Sequence, residues 1–190
     1  MAAQKNDGSI LINKVVIIPT GNEILNGVVI DTNSPAIMQI ILENYPKCQV
    51  TRLKPVMDRE SEIIELIDQC IDDSNELIIM IGGSGGGHRY VDTLAEDYTH
   101  SALSAYLEDF SAREIYGKNG HLWSKIICGK KASTIVINVP GPYVEATAAA
   151  KALMRCMRDN TLERSIICEK VAEAVLSNYP LGGSIKCVEK

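Results

Sequence analysis

Short, strongly apolar segments alternate along the chain with longer segments whose apolar positions recur at helical spacing. This alternation predicts β-α-β units around a parallel sheet, because parallel strands are joined by crossovers that are usually helices. Most of the short segments are apolar at consecutive positions and rich in Val and Ile, which is typical of strands buried on both faces. The predicted strands lie at residues 14–18, 48–54, 76–81 and 133–139.

Residues with capping side chains precede the segments of helical periodicity and predict where the helices begin. The first of these helices is predicted to end near Asn44 and the third near Glu108. The tail after Leu181 is predicted to be either frayed or an appendage at the sheet edge. The predicted caps are Ser34 with Pro35 at the first helical position, Asp58, the pair Thr93 and Glu96, and the pair Asn160 and Glu163.

Composition places the chain among ordinary globular domains, with 190 residues of which 46% are hydrophobic and 23% charged. Because only 5% are aromatic, the core must be aliphatic. No repeat or linker divides the sequence, so we expect one α/β domain over residues 1–190. Its three-layer core is expected at 14–158, followed by a C-terminal helix and tail at 160–190.

Charge and hydropathy restrict the partners and the location. The formal net charge of -5 argues against binding of nucleic acid over the whole surface, so any anionic ligand must be held locally. No apolar run approaches the roughly 20 residues that cross a bilayer. The first ten residues lack the apolar run of a signal peptide, and we expect a cytoplasmic protein without a membrane partner. The six scattered cysteines predict reduced, mostly buried thiols rather than disulfides or a zinc site.

The ligand crevice of an open parallel sheet lies beyond the carboxyl ends of its strands, so the segment after each strand carries the candidate chemistry. After the first strand, polar side chains supply hydrogen-bonding groups, and two glycines allow close approach of the backbone. A capped polar loop would explain the same residues. The candidate ligand-binding residues of this segment are Thr20, Gly21, Asn22, Glu23, Asp31, Asn33 and Ser34.

The third strand is followed by a glycine-rich stretch, Gly82-Gly83-Ser84-Gly85-Gly86-Gly87-His88-Arg89. Each glycine destabilises a regular element by roughly 0.5–1 kcal/mol relative to Ala. Backbone N–H groups between a strand end and a helix N-terminus can form a donor surface for an anion, and Arg89 adds a charged donor. His88 replaces the Lys of a Walker loop and no G-x-G-x-x-G is present, which disfavours an ordinary ATPase and a dinucleotide dehydrogenase. A mobile surface loop is the alternative.

Two later segments add candidates. After the fourth strand, Pro140 and Gly141 lie in a rigid turn that leads into an alanine-rich helix, either as part of the crevice or as a turn alone. Residues 113–131 carry five basic residues against one acidic residue. This surplus could serve a phosphate ligand, with Lys125 as the candidate, although a solvated loop explains it equally well.

Two acidic residues complete the predicted crevice, which we place at residues 20–34, 58, 82–93 and 138–143. Asp58 follows the second strand and Asp92 follows the glycine loop, so both should face the same space. Two carboxylates beside a phosphate suit a magnesium ion that bridges phosphate oxygens. Asp58 and Asp92 are therefore the candidate catalytic and metal-binding residues, with helix capping as the alternative for each.

Three of these post-strand segments together resemble the molybdopterin-binding domain family, which includes MogA/MoaB-like, MoeA-like and CinA N-terminal-domain-like proteins. Residues 20–27 with 31–34 are similar to the family pattern T-G-D-E-[IL]-x-x-G…D-[TS]-N. Residues 82–85 are similar to its G-G-[TSV]-[GS] loop, and residues 139–142 to its [LV]-P-G-x-P turn. Asn22 replaces the usual Asp, and Asp92 is displaced from the usual position of the second acid.

The resemblance implies an α/β/α sandwich, often trimeric, that binds the phosphate of molybdopterin near an acidic pair whose first member matches Asp58. It implies a role in molybdenum cofactor biosynthesis or handling, as a carrier or as an adenylyltransferase-like enzyme that uses magnesium and ATP. The two departures favour ligand binding over adenylyl transfer and molybdate insertion. The alternatives are a CinA-like magnesium-dependent nucleotide pyrophosphatase and a non-catalytic interaction module. The implied partners are a small pterin or nucleotide and further copies of the chain.

Overall fold

The computed structural model describes residues 11–85, 97–179 and 181–188. These residues contain one seven-stranded sheet and flanking helices. The strands are β1 (Lys14–Pro19), β2 (Gln49–Arg52), β3 (Leu77–Ile81), β4 (Phe110–Gly117), β5 (Leu122–Lys131), β6 (Thr134–Val139) and β7 (Gly183–Val188). The helices are α1 (Asn22–Leu25), α2 (Asn33–Asn44), α3 (Glu60–Asp72), α4 (Tyr98–Tyr106), α5 (Tyr143–Arg158) and α6 (Arg164–Leu176).

The strands are ordered β2-β1-β3-β6-β5-β4-β7, and the four strands predicted from the sequence form the parallel half, β2-β1-β3-β6. Successive residues of β1 point to opposite faces of the sheet. Val15 and Ile17 pack in one hydrophobic cluster with helices α2, α5 and α6. Val16 and Ile18 pack in a second cluster with α3 and α4. Helices therefore cover both faces, and the predicted α/β/α sandwich is confirmed.

The antiparallel half of the sheet rules out a solvated loop over residues 113–131, which was one of the two explanations of their basic charge. These residues belong to β4 and β5, which pair with each other, while β5 also pairs with β6. Two of their basic side chains form ion pairs within the fold: Arg113 Nε lies 2.6 Å from Glu169, and Lys125 Nζ lies 3.3 Å from Glu114. Ion pairs of this kind allow charged residues to lie in strands. The sequence shows the charges but not the ion pairs, so it did not reveal the strands. The tail after Leu181 forms the edge strand β7.

Three predicted caps differ from the structure. Helix α2 begins at Asn33, one residue before the predicted cap Ser34, and the Asp31 carboxylate accepts the amide N–H of Ser34 at 2.9 Å. Helix α3 begins at Glu60 without a side-chain cap, because Arg59 and not Asp58 occupies the N-cap position. The Asp58 carboxylate accepts an N–H from another segment.

Asn160 does not cap α6 but adopts a left-handed conformation with φ of 62° just after α5. Helix α6 begins at Arg164, and no side chain caps it. The predicted pair Thr93 and Glu96 lies outside the described residues. Helix α4 ends at Tyr106, close to the predicted end.

The six cysteines, all within the described residues, form no disulfide, and all except the exposed Cys187 are buried, in agreement with the predicted buried thiols. Burial raises the pKa of the Cys70 thiol to about 11 and also raises that of Cys156. Among the helices in the described ranges, none has the length and apolar character needed to span a membrane.

Candidate functional site

A cleft of about 960 Å³ lies at the carboxyl ends of β1, β3 and β6. It is lined by residues from the segments that follow these strands, including Thr20, Gly85 and Gly141. The parallel strands bring these segments to one edge of the sheet, although they are separated by more than a hundred positions in the chain. The predicted location of the crevice therefore agrees with the structure.

Hydrogen bonds lock the segments together behind the cleft. Thr20 Oγ1 donates to the carbonyl oxygen of Ile81 at 3.0 Å and accepts from Thr99 Oγ1 at 3.1 Å. On another side, Asn33 Nδ2 donates to the carbonyl oxygen of Gly141 at 2.6 Å. The segments after β1, β3 and β6 are thus held by contacts with one another.

The glycine loop begins with two residues of positive φ, Gly82 at 99° and Gly83 at 58°. A Cβ atom at Gly83 would lie 2.2 Å from Thr99 Oγ1, so the space beside this backbone is filled. On the far side, the carbonyl oxygen of Ser84 accepts the amide N–H of Lys125 at 2.6 Å. Positive φ and close packing together explain why glycine is required at position 83.

The loop already binds an anionic oxygen. The amide N–H of Gly85 donates to Asp97 Oδ1 at 3.0 Å, and both residues line the cleft. The neighbouring His100 donates its backbone N–H to the carbonyl oxygen of Gly83. Burial, together with the positive charge of Lys125, lowers the pKa of His100 below its usual value. One backbone donor of the loop, the Gly85 N–H, therefore binds an anionic oxygen inside the cleft.

Asp58 and Asn22 form a reciprocal contact at the cleft. Asp58 Oδ2 accepts the amide N–H of Asn22 at 3.1 Å, and Asn22 Oδ1 accepts the amide N–H of Asp58 at 3.4 Å. Asp58 lines the cleft and is 6% exposed. The residue that departs from the family pattern in the first motif is thus the one that orients the candidate acid.

Asp31 lies at the entrance to α2 and forms an ion pair of 3.0 Å with Arg52. Burial alone would raise the pKa of Asp31, but the hydrogen bonds from Ser34 and the ion pair with Arg52 outweigh this effect. Its pKa is therefore held below the usual value, and the carboxylate stays ionised in the neutral pH range.

Acidic side chains are prominent in the described lining of the cleft, where Lys and Arg do not occur. The carboxylates are those of Glu23, Asp31, Asp58, Asp97 and Glu145. Glu23 Oε2 is buried without a hydrogen-bond partner among the described residues. A donor group of a ligand or a bound cation would fit this orphaned oxygen. Within residues 11–85, 97–179 and 181–188, no three His, Cys, Asp or Glu side chains group closely enough to hold a metal ion.

The structure brings most predicted site residues in the described ranges to the cleft lining. They are Thr20, Gly21, Glu23, Asp31, Asn33, Asp58, Gly82, Gly83, Ser84, Gly85, Pro140 and Gly141. Asn22, Ser34 and Lys125 do not line it, and each supports a lining residue through a backbone hydrogen bond. The remaining predicted site residues, Gly86, Gly87, Arg89 and Asp92, lie outside the described residues.

Sequence reasoning missed one side of the cleft. Trp123 at the start of β5 and Tyr179 after α6 both line it, with ring centroids 4.0 Å apart at an interplanar angle of 85°. Glu145 in the first turn of α5 accepts a hydrogen bond from the Tyr179 hydroxyl at 3.4 Å. No motif in the sequence marked this side, because Trp123 and Tyr179 come together from separate segments of the chain.

The chain is thus an α/β/α domain with a glycine loop and a cleft at the carboxyl ends of its parallel strands, which is where open α/β sheets bind ligands. Residues 16–159 match the family model described as a probable molybdopterin binding domain. The chain therefore belongs to the molybdopterin-binding domain family. No curated protein matches the sequence.

Several solved structures share the fold at low sequence identity. The molybdopterin biosynthesis enzyme MoaB from Thermus thermophilus has a TM-score of 0.62 at 18% identity, covering 83% of this chain and 98% of that one. CinA from Thermoplasma acidophilum has a TM-score of 0.58 at 18% identity, with coverage of 78% and 99%. The tungsten cofactor synthesizing protein MoaB from Pyrococcus furiosus has a TM-score of 0.60 at 13% identity, with coverage of 83% of this chain and 99% of that one.

Proposed function

We propose that this protein binds molybdopterin, or a closely related phosphorylated pterin, in molybdenum cofactor biosynthesis or handling. The phosphate is held at the glycine loop that begins at Gly82. One observation carries this proposal: the amide N–H of Gly85 binds a carboxylate oxygen of Asp97 within the cleft that the three family motifs line. A phosphate oxygen has the same requirement for backbone donors.

Family membership supports the choice of a pterin ligand. The solved structures that share the fold include a molybdopterin biosynthesis enzyme and a tungsten cofactor synthesizing protein, both named MoaB. The cleft volume of about 960 Å³ accommodates a ligand of this size, because small-molecule pockets commonly measure about 300–1,000 Å³.

Calorimetric titration tests the proposal, with molybdopterin, ATP and ADP-ribose as separate ligands. Gly85→Asp adds a negative charge beside Asp97 and should abolish binding of molybdopterin. Gly27→Asp is the charge control, because a side chain there meets no atom within 4 Å; since its φ of 72° strains a side chain, thermal denaturation first confirms that this variant is folded. Absence of molybdopterin binding to the folded wild-type protein would refute the proposal. If ATP and ADP-ribose also fail to bind, a non-catalytic interaction module is the remaining alternative.

A second candidate function is a magnesium-dependent nucleotide pyrophosphatase of the CinA-like type. The five carboxylates of the described lining favour this function. A divalent cation between a carboxylate and a bound phosphate would offset the repulsion between the two negative groups. Asp58 is the described residue suited to hold that ion. Magnesium would supply charge neutralisation at the phosphate oxygens.

Turnover separates the two functions. Under the binding proposal, ADP-ribose is not hydrolysed, and Arg89→Gln weakens ligand binding while Asp92→Asn leaves it unchanged. Magnesium-dependent hydrolysis that is lost in Asp92→Asn at unchanged ligand affinity would establish the pyrophosphatase instead. An adenylyltransferase would be revealed by release of pyrophosphate from ATP in the presence of molybdopterin.

We further propose that the protein assembles as a homotrimer, as the family resemblance implies, and that it works in the cytoplasm, as its hydropathy pattern suggests. Light scattering coupled to size-exclusion chromatography measures the mass of the particle directly. A mass equal to that of one chain at micromolar concentration would contradict the assembly.

A further inference from the structure

The side of the cleft that carries Trp123 is built by the antiparallel half of the sheet. β5 runs opposite to β6, so its first residues lie beside the carboxyl ends of the parallel strands. The end of β4 at Gly117 and the chain entering β7 reach the same edge, because β4 pairs antiparallel with both β5 and β7. Trp123 and Tyr179 are thereby brought together from separate elements.

The indole of Trp123 is fixed in place at this edge. A Cβ atom added to Gly117 would lie 2.9 Å from Trp123 Nε1, so the indole packs directly against the glycine backbone. Tyr179 packs edge-to-face against it from the end of α6. Trp123 belongs to neither of the hydrophobic clusters of the described residues, and it is partly exposed in the cleft. Neighbouring residues therefore fix the position of Trp123, although its side chain is part of neither hydrophobic cluster.

Tyr179 is also held from several directions. Its hydroxyl donates to Glu145 Oε2, and its backbone N–H and carbonyl oxygen bond to Leu176 and Gly182 respectively. Burial and the negative charge of Glu145 raise the pKa of Tyr179, so the hydroxyl stays protonated and keeps its donor role. Tyr179 lies beyond residues 16–159, the part matched by the family model. This aromatic wall, defined as Trp123 and Tyr179, is thus completed by the C-terminal extension of the chain.

We propose that the aromatic wall is the subsite for a planar heteroaromatic ring of the ligand whose anionic group binds at the glycine loop. The inference rests on the proposed function, since it deepens the same cleft. Both a pterin and a purine have such a ring, and the shared chemistry is a flat π-face that packs against indole. Aromatic platforms strengthen binding of a base about tenfold to a hundredfold.

Calorimetry with four phosphates tests the subsite: inorganic phosphate, ribose 5-phosphate, GMP and neopterin 3′-phosphate. The ring-bearing phosphates should bind at least about tenfold more tightly than ribose 5-phosphate. Trp123→Ala should reduce their affinity to that of ribose 5-phosphate, and Trp123→Phe should restore most of it. Tyr106→Ala is the aromatic control, because that ring packs with Lys131 instead of lining the cleft.

Fluorescence gives a second readout that needs no variant. Trp123 is the only tryptophan of the chain, so its emission reports on the aromatic wall alone. GMP should change the emission of the wild-type protein at concentrations where ribose 5-phosphate, though bound, does not. Tighter binding of neopterin 3′-phosphate than GMP would identify a pterin subsite, and the reverse a purine subsite.

The outcomes separate failure of the subsite from failure of the proposed function. If ribose 5-phosphate binds as tightly as both ring-bearing phosphates, the aromatic wall is not a ring subsite, although the glycine loop still binds anions. If none of the four phosphates binds, both the subsite and the phosphate site at the glycine loop are refuted.

Discussion

Thr99 Oγ1 donates a hydrogen bond of 3.1 Å to Thr20 Oγ1, joining two residues that are 79 positions apart in the chain. Both residues are buried, with exposures of 0% and 4%. The Thr99 hydroxyl also fills the space beside Gly83, so this contact fixes the first motif and the glycine loop relative to each other. The segments that line the cleft are therefore coupled through direct contacts, and a change in one segment should affect the others.

Gly83→Ala should destabilise the protein strongly. Its φ of 58° imposes about 1–2 kcal/mol of strain on a side chain, and the clash with Thr99 Oγ1 adds an overpacking cost of about 1–3 kcal/mol. Gly27→Ala isolates the first effect, because its φ is 72° and no atom lies within 4 Å. Urea denaturation of the two variants measures the difference, and equal losses would show that the packing at Gly83 is unimportant.

Asn33→Ala should weaken ligand binding more than it weakens the fold. The substitution removes the hydrogen bond from Asn33 Nδ2 to Gly141, worth about 1 kcal/mol, and releases the turn after β6 from α2. Asn44→Ala removes a comparable bond to Ile40 within α2, away from the cleft. Titration calorimetry and thermal denaturation are compared for both variants. If Asn33→Ala and Asn44→Ala bind the ligand with equal affinity, the contact between Asn33 and Gly141 does not contribute to the site.

Asp31 should contribute an acid-sensitive part of the stability. Its pKa is lowered in the folded protein, so the contribution is present above the unfolded-state pKa of about 3.9 and is lost as pH falls through the folded value. Asp31→Ala should cost about 1–2 kcal/mol at pH 7, because the N-terminus of α2 loses its acceptor. Asp31→Asn should cost less, because Asn still accepts the Ser34 N–H. Urea denaturation between pH 3 and 7 checks the slopes, and identical slopes in wild type and Asp31→Asn would oppose this assignment.

His100 should make the protein less stable in mild acid. Burial and Lys125 lower its folded pKa, so the unfolded chain binds a proton first as pH falls below about 6.5. The free energy of unfolding therefore decreases as pH falls from about 6.5 through the folded pKa of His100, and the contribution of the neutral imidazole is fully present above that range. His100→Gln should flatten this part of the pH profile. An unchanged profile between pH 7 and 5 in the variant would show that other groups cause it.

The strands of the parallel half could be predicted because burial on both faces leaves a local signal. β1 and β3 are apolar at consecutive positions, since each successive side chain enters one of the two hydrophobic clusters. The place of the site followed from the same reasoning, because the carboxyl ends of parallel strands meet at one edge of the sheet. The candidates at Thr20, Gly83 and Gly141 could be found for this reason.

The hairpin of β4 and β5 left no such signal. Arg113 is 8% exposed in a strand because Glu169 of α6, 56 positions later, supplies its ionic partner. A sequence window around Arg113 contains only the charge, which is typical of a solvated loop.

The alternation of strands and helices, the parallel core and the segments with the candidate chemistry could be predicted from the sequence. Each of them depends on local periodicity and local backbone requirements. The partner of each polar group, in contrast, is set by how the elements pack. Asp58 binds the Asn22 amide instead of capping α3, and Tyr179 meets Trp123 from beyond the matched family region. Such pairings depend on where distant segments pack, and no local pattern records them.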